Sequence, residues 1–407
     1  MDIPKKADII VIGGGPAGSQ AAYEAAKRGV EVLVLDRKDS VGVPVQCGEA
    51  IGKSRAELSN IWIPERSILN ELTGMSVIAP SGDSVDYTKG EVNGYIIDRR
   101  VFDKEHLIRA AETGADIKVG CHVINVKIDK ENGKVAVSGR RRGESFEIEG
   151  KAAVGADGVH SIVARKAGLV KMTLAKDLDS SIACDMVGVS AQRVDFMDFY
   201  IGREICPRGY VWVFPKGENL CNVGIGIGPG FGEPGVTAHE YLVRWMKDNP
   251  IGSRITKNAK IVEYRVGAVP LGGLVKNPVG DHVVLVGDAA GQVSPITGGG
   301  LGYGSRGGQL AGIRLAEAVS EDNFSAKFLN KYIDDWKDEF GRTFSTHFTM
   351  RKILEKITDK QLNLLAGHFT GKDVIEMVDG KLQKVKLTGQ LLKQDPSLVK
   401  LLKPLLA

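Results

Sequence analysis

Asp8-Ile9-Ile10-Val11-Ile12-Gly13-Gly14-Gly15-Pro16-Ala17-Gly18 reads as a continuous apolar strand that runs into a tight glycine turn. Pro16 to Arg28 follows as an Ala-rich helix ended by Gly29, and Val30 to Leu35 as a second buried strand. Strand, turn, helix and strand in this order open a parallel doubly wound sheet. In such a unit Gly13 permits the turn, Gly15 lets backbone approach a pyrophosphate, and Gly18 lets helix and strand pack closely. The helix N-terminus then faces the phosphates with the positive end of its dipole. Asp36, 18 residues past Gly18, stands where a carboxylate accepts hydrogen bonds from a ribose. The turn predicts a dinucleotide but does not by itself separate FAD from NAD.

Two later segments point to FAD. Gly155-Ala156-Asp157-Gly158-Val159-His160-Ser161, with Arg165 following, ends the apolar strand Ala152 to Ala156 in a second glycine turn. Val286-Gly287-Asp288-Ala289-Ala290-Gly291 follows the strand His282 to Val286 and leads through Pro295-Ile296-Thr297-Gly298-Gly299-Gly300 into a helix from about Gly302 to Ser320. An aspartate after a buried strand can bind a ribityl hydroxyl, and glycines opening a helix place backbone N–H groups against pyrophosphate and flavin ring. Between these segments, Gly74 to Ile97 and Ser180 to Gly228 break into short alternating stretches that read as antiparallel strands. Phe324 to Ala407 reads as helical throughout.

Composition sets outer bounds. At 407 residues the chain is long enough for two or three domains, and 43% hydrophobic with 26% charged residues is a globular composition. Its 54 Lys plus Arg against 50 Asp plus Glu leave +4, too little to argue for nucleic acid as a partner. Cys47, Cys121, Cys184, Cys206 and Cys221 lack metal-ligand spacing and are odd in number, which fits a reducing, cytoplasmic compartment. The seven histidines are dispersed, so no metal site is expected. The first strand starts just after Met1 to Lys6, which leaves no room for a secretory leader. No apolar run approaches the roughly 20 residues that span a bilayer.

The three glycine segments, in this order, resemble those of the flavoprotein superfamily of aromatic hydroxylases, halogenases and geranylgeranyl reductases. The resemblance implies a discontinuous Rossmann-like FAD domain with an inserted antiparallel-sheet substrate domain and a helical C-terminal segment. The expected pieces are 1–73, 98–170 and 270–323 for FAD, 74–97 and 171–269 for substrate, and 324–407 for the helical region. It further implies that Gly13, Gly15, Ala17 and Gly18 contact pyrophosphate, that Asp36 binds the adenosine ribose and that Asp288 binds the ribityl chain. Gly300 and Leu301 would lie against the isoalloxazine. Arg99 matches an arginine that approaches the cofactor, and Val123 a backbone contact on the adenine side.

Pro207-Arg208-Gly209-Tyr210-Val211-Trp212-Val213-Phe214-Pro215, followed after eight residues by Gly224-Ile225-Gly226, resembles the YxWxFP…GxG signature of the geranylgeranyl reductases. Strand alternation puts Tyr210, Trp212 and Phe214 on one face, either as the lining of a tunnel for an apolar chain or as an aromatic core. Val43-Pro44-Val45-Gln46-Cys47-Gly48-Glu49-Ala50 resembles the PxxCGE segment of archaeal lipid-directed members, which would set Cys47, Gly48 and Ala50 beside the flavin. Cys47, Tyr210 and Trp212 are the candidate catalytic residues, with contact favoured over chemistry for Cys47 because no cationic partner is readable in sequence.

The resemblance implies reduction of the double bonds of a digeranylgeranylglycerol phospholipid or related isoprenoid, with hydride from reduced FAD and a proton from a donor not fixed by sequence. The electron donor is expected to be external: NAD(P)H, ferredoxin or a deazaflavin. Lys381 to Ala407 carries six lysines against Asp395 among many leucines, which suits either peripheral contact with the inner face of an anionic membrane or docking on the protein's own core. Two rivals share the cofactor motifs, an aromatic monooxygenase and an electron-transfer flavoprotein; the latter commonly recruits an iron–sulfur cluster, whose cysteine spacing is missing here.

Overall fold

The computed structural model describes residues 3–129, 131–170 and 175–381. The basic stretch after Lys381 lies outside the described residues.

Lys6–Ile12 sits inside an eight-stranded sheet, paired in parallel with Val32–Leu35 on one side and Glu144–Gly155 on the other. Asp116–Lys118 and Val283–Leu285 extend the parallel set outward. Parallel strands need cover on both faces. Ile9 and Val11 therefore point into one cluster shared with the helices Pro16–Ala26, Arg99–Glu112 and Leu301–Glu321. Ile10 and Ile12 point into a second, covered by the antiparallel strands Cys121–Asp129 and Lys134–Arg141. The layers are helices, parallel sheet and a β-meander that grows from the first half of Glu144–Gly155.

The glycines of the first turn are required by contact. Gly13 has φ +105, and a Cβ there would stand 2.2 Å from the Ala156 carbonyl oxygen. The helices Pro16–Ala26 and Leu301–Glu321 also meet backbone to backbone: a Cβ on Gly308 would fall 2.0 Å from the Ala17 oxygen.

The second sheet has seven strands in the spatial order Lys260–Pro270, Leu178–Val187, Leu220–Ile227, Tyr210–Pro215, Phe196–Tyr200, Gly74–Ile78 and Ser84–Thr88. All neighbours are antiparallel except Phe196–Tyr200 with Gly74–Ile78. Alternation divides its faces. Val211, Val213, Val223 and Ile225 pack beneath the helix Ala238–Asp248 through Tyr241, Leu242 and Trp245. Ala183, Trp212 and Phe214 occupy the other face with Met197, Phe199 and Tyr210.

A three-stranded sheet, Ala50–Gly52, Gly94–Ile97 and Ile68–Leu72, joins the two larger ones. The stretch 74–97, read in sequence as one piece of the substrate sheet, thus divides. Its first two strands enter the seven-stranded sheet, whereas Gly94–Ile97 is captured between two strands that precede it in the chain. Periodicity reports that a strand exists but not which neighbour supplies its hydrogen bonds.

After Leu301–Glu321 the chain continues as the helices Lys331–Leu354, Asp359–Ala366 and Gly371–Val378. Trp336, Phe340 and Phe344 surround Tyr303 edge to face and fix the long helix onto the glycine-rich one. Among the described residues no helix is long and apolar enough to cross a membrane.

Gly308→Ala forces the two touching helices apart. The expected loss is about 1–3 kcal/mol by overpacking, read as a fall in Tm together with weaker retention of bound flavin.

Candidate functional site

A cavity of about 1130 Å³ opens where the carboxyl ends of the parallel strands face the inner side of the seven-stranded sheet. One end is a cradle of backbone. Gly15 precedes the helix Pro16–Ala26, which has no side-chain cap, and a Cβ on Gly15 would meet nothing within 4 Å. Gly300 likewise precedes Leu301–Glu321 without a side-chain cap. Two sets of helix N–H groups are therefore left for a ligand, and anionic groups suit them. Gly15, Ala17, Asp288, Gly300 and Leu301 all line the cavity.

Asp36 accepts from the N–H groups of Gly14 at 2.7 Å and Lys38 at 2.8 Å, which places its carboxylate beside the glycine turn. Asp288 lies in the short turn Gly287–Ala290 between buried neighbours, and its own side chain is exposed to the open cavity. Burial pushes its pKa up, with Arg99 acting in the opposite sense. An ionisable group so placed calls for a polar partner. Uncapped N-termini, an open glycine and a carboxylate at each end fit the pyrophosphate and two sugar-like portions of FAD. Gly13 and Gly18 support the turn from behind the cavity wall. Val123 does not line the cavity; it is buried in the strand Cys121–Asp129, whose first N–H bonds the Asp36 carbonyl oxygen at 2.8 Å.

Tyr210, Trp212 and Phe214 line the cavity together with Met197 and Phe199. Phe199 meets Tyr210 and Phe214 edge to face at 5.3 and 5.2 Å between ring centroids. Their polar handles are engaged. The Tyr210 hydroxyl donates to the Thr297 carbonyl oxygen at 2.6 Å, and burial raises its pKa. The Trp212 indole N–H donates to Asn222 Oδ1 at 2.9 Å. Apolar residues of the C-terminal helices, including Leu362, Leu365, Ile375 and Met377, complete this part of the wall.

Cys47, Gly48 and Ala50 lie between the cradle and the aromatic wall. A Cβ on Gly48 would come 3.1 Å from the Phe214 ring, so the segment is pressed against it. The Arg99 guanidinium forks onto Asp103 at 2.7 and 2.9 Å, with Cys47 near enough to favour its charge. Burial works against its charge, but Asp103 and Cys47 outweigh burial and raise its pKa. Cys47 thus has the cationic neighbour that sequence does not reveal.

Sequence reading gave no role to the charges beneath Cys47. Lys216 Nζ bridges Glu49 at 2.7 Å and Asp185 at 2.8 Å, and Arg265 bonds both carboxylates. All four side chains are buried. Burial alone would raise the Glu49 pKa; Lys216 first and Arg265 next hold it below the ordinary value. The available signal was Asp185 near the end of the strand Leu178–Val187, Arg265 in the strand Lys260–Pro270, and a lysine directly after Pro215.

Pro295 to Gly300 is braced from outside by His347. Its Nε2–H donates to the Val378 carbonyl oxygen at 2.8 Å, which leaves Nδ1 to accept from the Ser294 hydroxyl at 3.0 Å. Burial lowers the His347 pKa to about 4, as it does that of His106.

Residues 177–269 match the family described as geranylgeranyl reductase catalytic domain, and residues 7–185 the family described as pyridine nucleotide-disulphide oxidoreductase. The chain is 38% identical to digeranylgeranylglycerophospholipid reductase 2 of Methanopyrus kandleri, over 98% of this chain and 99% of the relative. It is 36% identical to the digeranylgeranylglycerophospholipid reductase of Methanococcus vannielii, over 98% of each chain. Among solved structures, a geranylgeranyl bacteriochlorophyll reductase-like protein from Thermoplasma acidophilum superposes with a TM-score of 0.86 at 31% identity, covering 98% of this chain and 99% of that one. A flavin-dependent brominase, Bmp2, shares the fold at 19% identity, with a TM-score of 0.67 over 92% of this chain and 100% of that one.

Two outcomes test the site. Asp288→Ala removes a carboxylate that faces the cradle, and FAD affinity should fall about tenfold to a hundredfold, measured by flavin fluorescence on titration. For the histidines, the unfolded chain takes up a proton near 6.5 that the fold refuses until about 4. Their contribution is complete above 6.5 and is lost as pH falls toward 4, up to about 3 kcal/mol each. The slope of Tm against pH in that window should flatten in His347→Gln.

Proposed function

The chain belongs to the family of the digeranylgeranylglycerophospholipid reductases, and we propose that its cavity brings each alkene of a lipid chain in turn against the flavin. The reaction is FAD-dependent reduction of the carbon–carbon double bonds of geranylgeranyl chains in archaeal-type membrane lipids. One observation carries the reading: the dinucleotide cradle and the aromatic-lined passage are two ends of a single cavity. When bound and reduced, FAD supplies hydride to one alkene carbon, and a proton to the other completes the addition of two hydrogens.

An isolated trisubstituted alkene is a poor hydride acceptor, so alignment in a dry space must supply much of the rate. Tyr210, Trp212 and Phe214 would hold the chain, with Cys47, Gly48 and Ala50 beside the flavin. The hydroxyl of Tyr210 is engaged by Thr297, which favours a wall role over proton donation. Reduction of FAD by an external donor, NAD(P)H, ferredoxin or a deazaflavin, and uptake of lipid at the membrane surface complete the reading. So does division into an FAD domain, a substrate domain and a helical C-terminal region.

The deciding experiment is mass spectrometry of a digeranylgeranyl lipid incubated anaerobically with dithionite-reduced protein. The expected product gains mass in steps of two hydrogens. Unchanged lipid beside fully reduced, FAD-loaded protein would sink the reading, and gain of one oxygen under air would favour a monooxygenase.

A further inference from the structure

We propose that Glu49 is a positioning residue for the reduction: its carboxylate, directly and through Asn222, and its backbone hold Arg99 and Cys47 on the flavin side of the cavity, and its charge tunes the flavin. The proposal rests on the reading above that FAD occupies the cradle.

Glu49 has φ +67, a left-handed conformation that residues other than glycine rarely adopt. The side chain is wholly buried and supplies the restraint. Oε2 accepts from Lys216 at 2.7 Å, Arg265 at 2.8 Å and Asn222 at 3.3 Å, residues of the chain at or beyond three different strands of the seven-stranded sheet. Oε1 accepts from the Arg99 backbone N–H at 3.3 Å, at the start of the helix Arg99–Glu112.

The backbone of Glu49 serves the same end. Its N–H donates to Cys47 Sγ at 3.2 Å, its carbonyl accepts from Ile97 at 2.8 Å, and Asn222 also holds the Cys47 carbonyl at 3.3 Å. Through its carboxylate, its backbone and Asn222, Glu49 is therefore bonded to both Cys47 and Arg99, and both line the cavity.

The four buried charges, Glu49 and Asp185 against Lys216 and Arg265, cancel. A buried network of this kind is sensitive to loss of a single member, because the remaining charge is neither paired nor hydrated. Reduction adds negative charge to a flavin, so an uncompensated positive charge nearby raises its potential and a negative one lowers it.

Variants separate position from charge. Glu49→Asp keeps the charge but shortens the reach by one methylene. Lipid turnover should fall about tenfold to a hundredfold, with KM for lipid within about twofold and the potential unchanged. Glu49→Gln should raise the midpoint potential of bound FAD, and Lys216→Met should lower it. The pair E49Q/K216M, again charge-balanced, should return the potential to the wild-type value while turnover stays depressed.

Potentials that do not move, or move in the same direction in both single variants, overturn the proposal, as does full turnover in Glu49→Asp. Loss of FAD from every variant, the balanced pair included, would assign Glu49 to folding alone and also overturn it. Potentials are read without lipid. Failure of the wild type to reduce lipid would therefore count against the proposed function and leave these measurements to decide the role of Glu49.

Discussion

A dinucleotide held along its whole length needs backbone from distant parts of a chain at one place, and backbone groups converge only where side chains are missing. In this protein the demand falls on the contact between Pro16–Ala26 and Leu301–Glu321. Gly308 lies against Ala17 and Gly312 against Ala21, at separations no Cβ permits. That contact brings two uncapped helix N-termini to one crest of the parallel sheet, with Asp36 and Asp288 as the acidic ends of the cradle. The cavity, the aromatic wall and the C-terminal helices are arranged around this crest.

The second sheet meets the first through polar interactions as well as apolar burial. Apolar contact is tolerant of sliding, whereas a buried carboxylate bonded by a lysine, an arginine and an asparagine has one satisfactory arrangement. The Glu49 network thus gives register to a junction that aromatic packing alone would leave loose. The His347 bonds to Ser294 and Val378 act similarly on the loop Pro295 to Gly300.

The parts legible in sequence were those written in contiguous residues. The run from Asp8 to Gly18 declares its fold because strand period, glycine positions and helix start lie within one short stretch. Tyr210, Trp212 and Phe214 declare a shared face because alternation is a local property. Glu49, Asp185, Lys216 and Arg265 are far apart in the chain, and none of them by itself names its partners. Nothing local says that four separate stretches of the chain bring them together. The same holds for Gly94–Ile97, whose alternation marked a strand but whose partners are set by the path of the chain. Arg99 beside Cys47 was hidden for this reason too: a thiol's neighbour in space is not its neighbour in sequence.

The hydrogen bond from Tyr210 to the Thr297 carbonyl joins the wall of the passage to the loop proposed to seat the flavin ring. Substrate fit and cofactor fit therefore share a part. A lineage that remodelled this wall to admit a bulkier or shorter hydrocarbon would disturb the seat of its own cofactor in the same step. Change in substrate range is easier to accumulate at the opposite wall, on the C-terminal helices, where Leu362, Leu365, Ile375 and Met377 meet the passage with flexible apolar side chains. The molecule is in this sense two-sided: one wall is bonded to the proposed flavin loop, and the other is built from apolar side chains of the C-terminal helices.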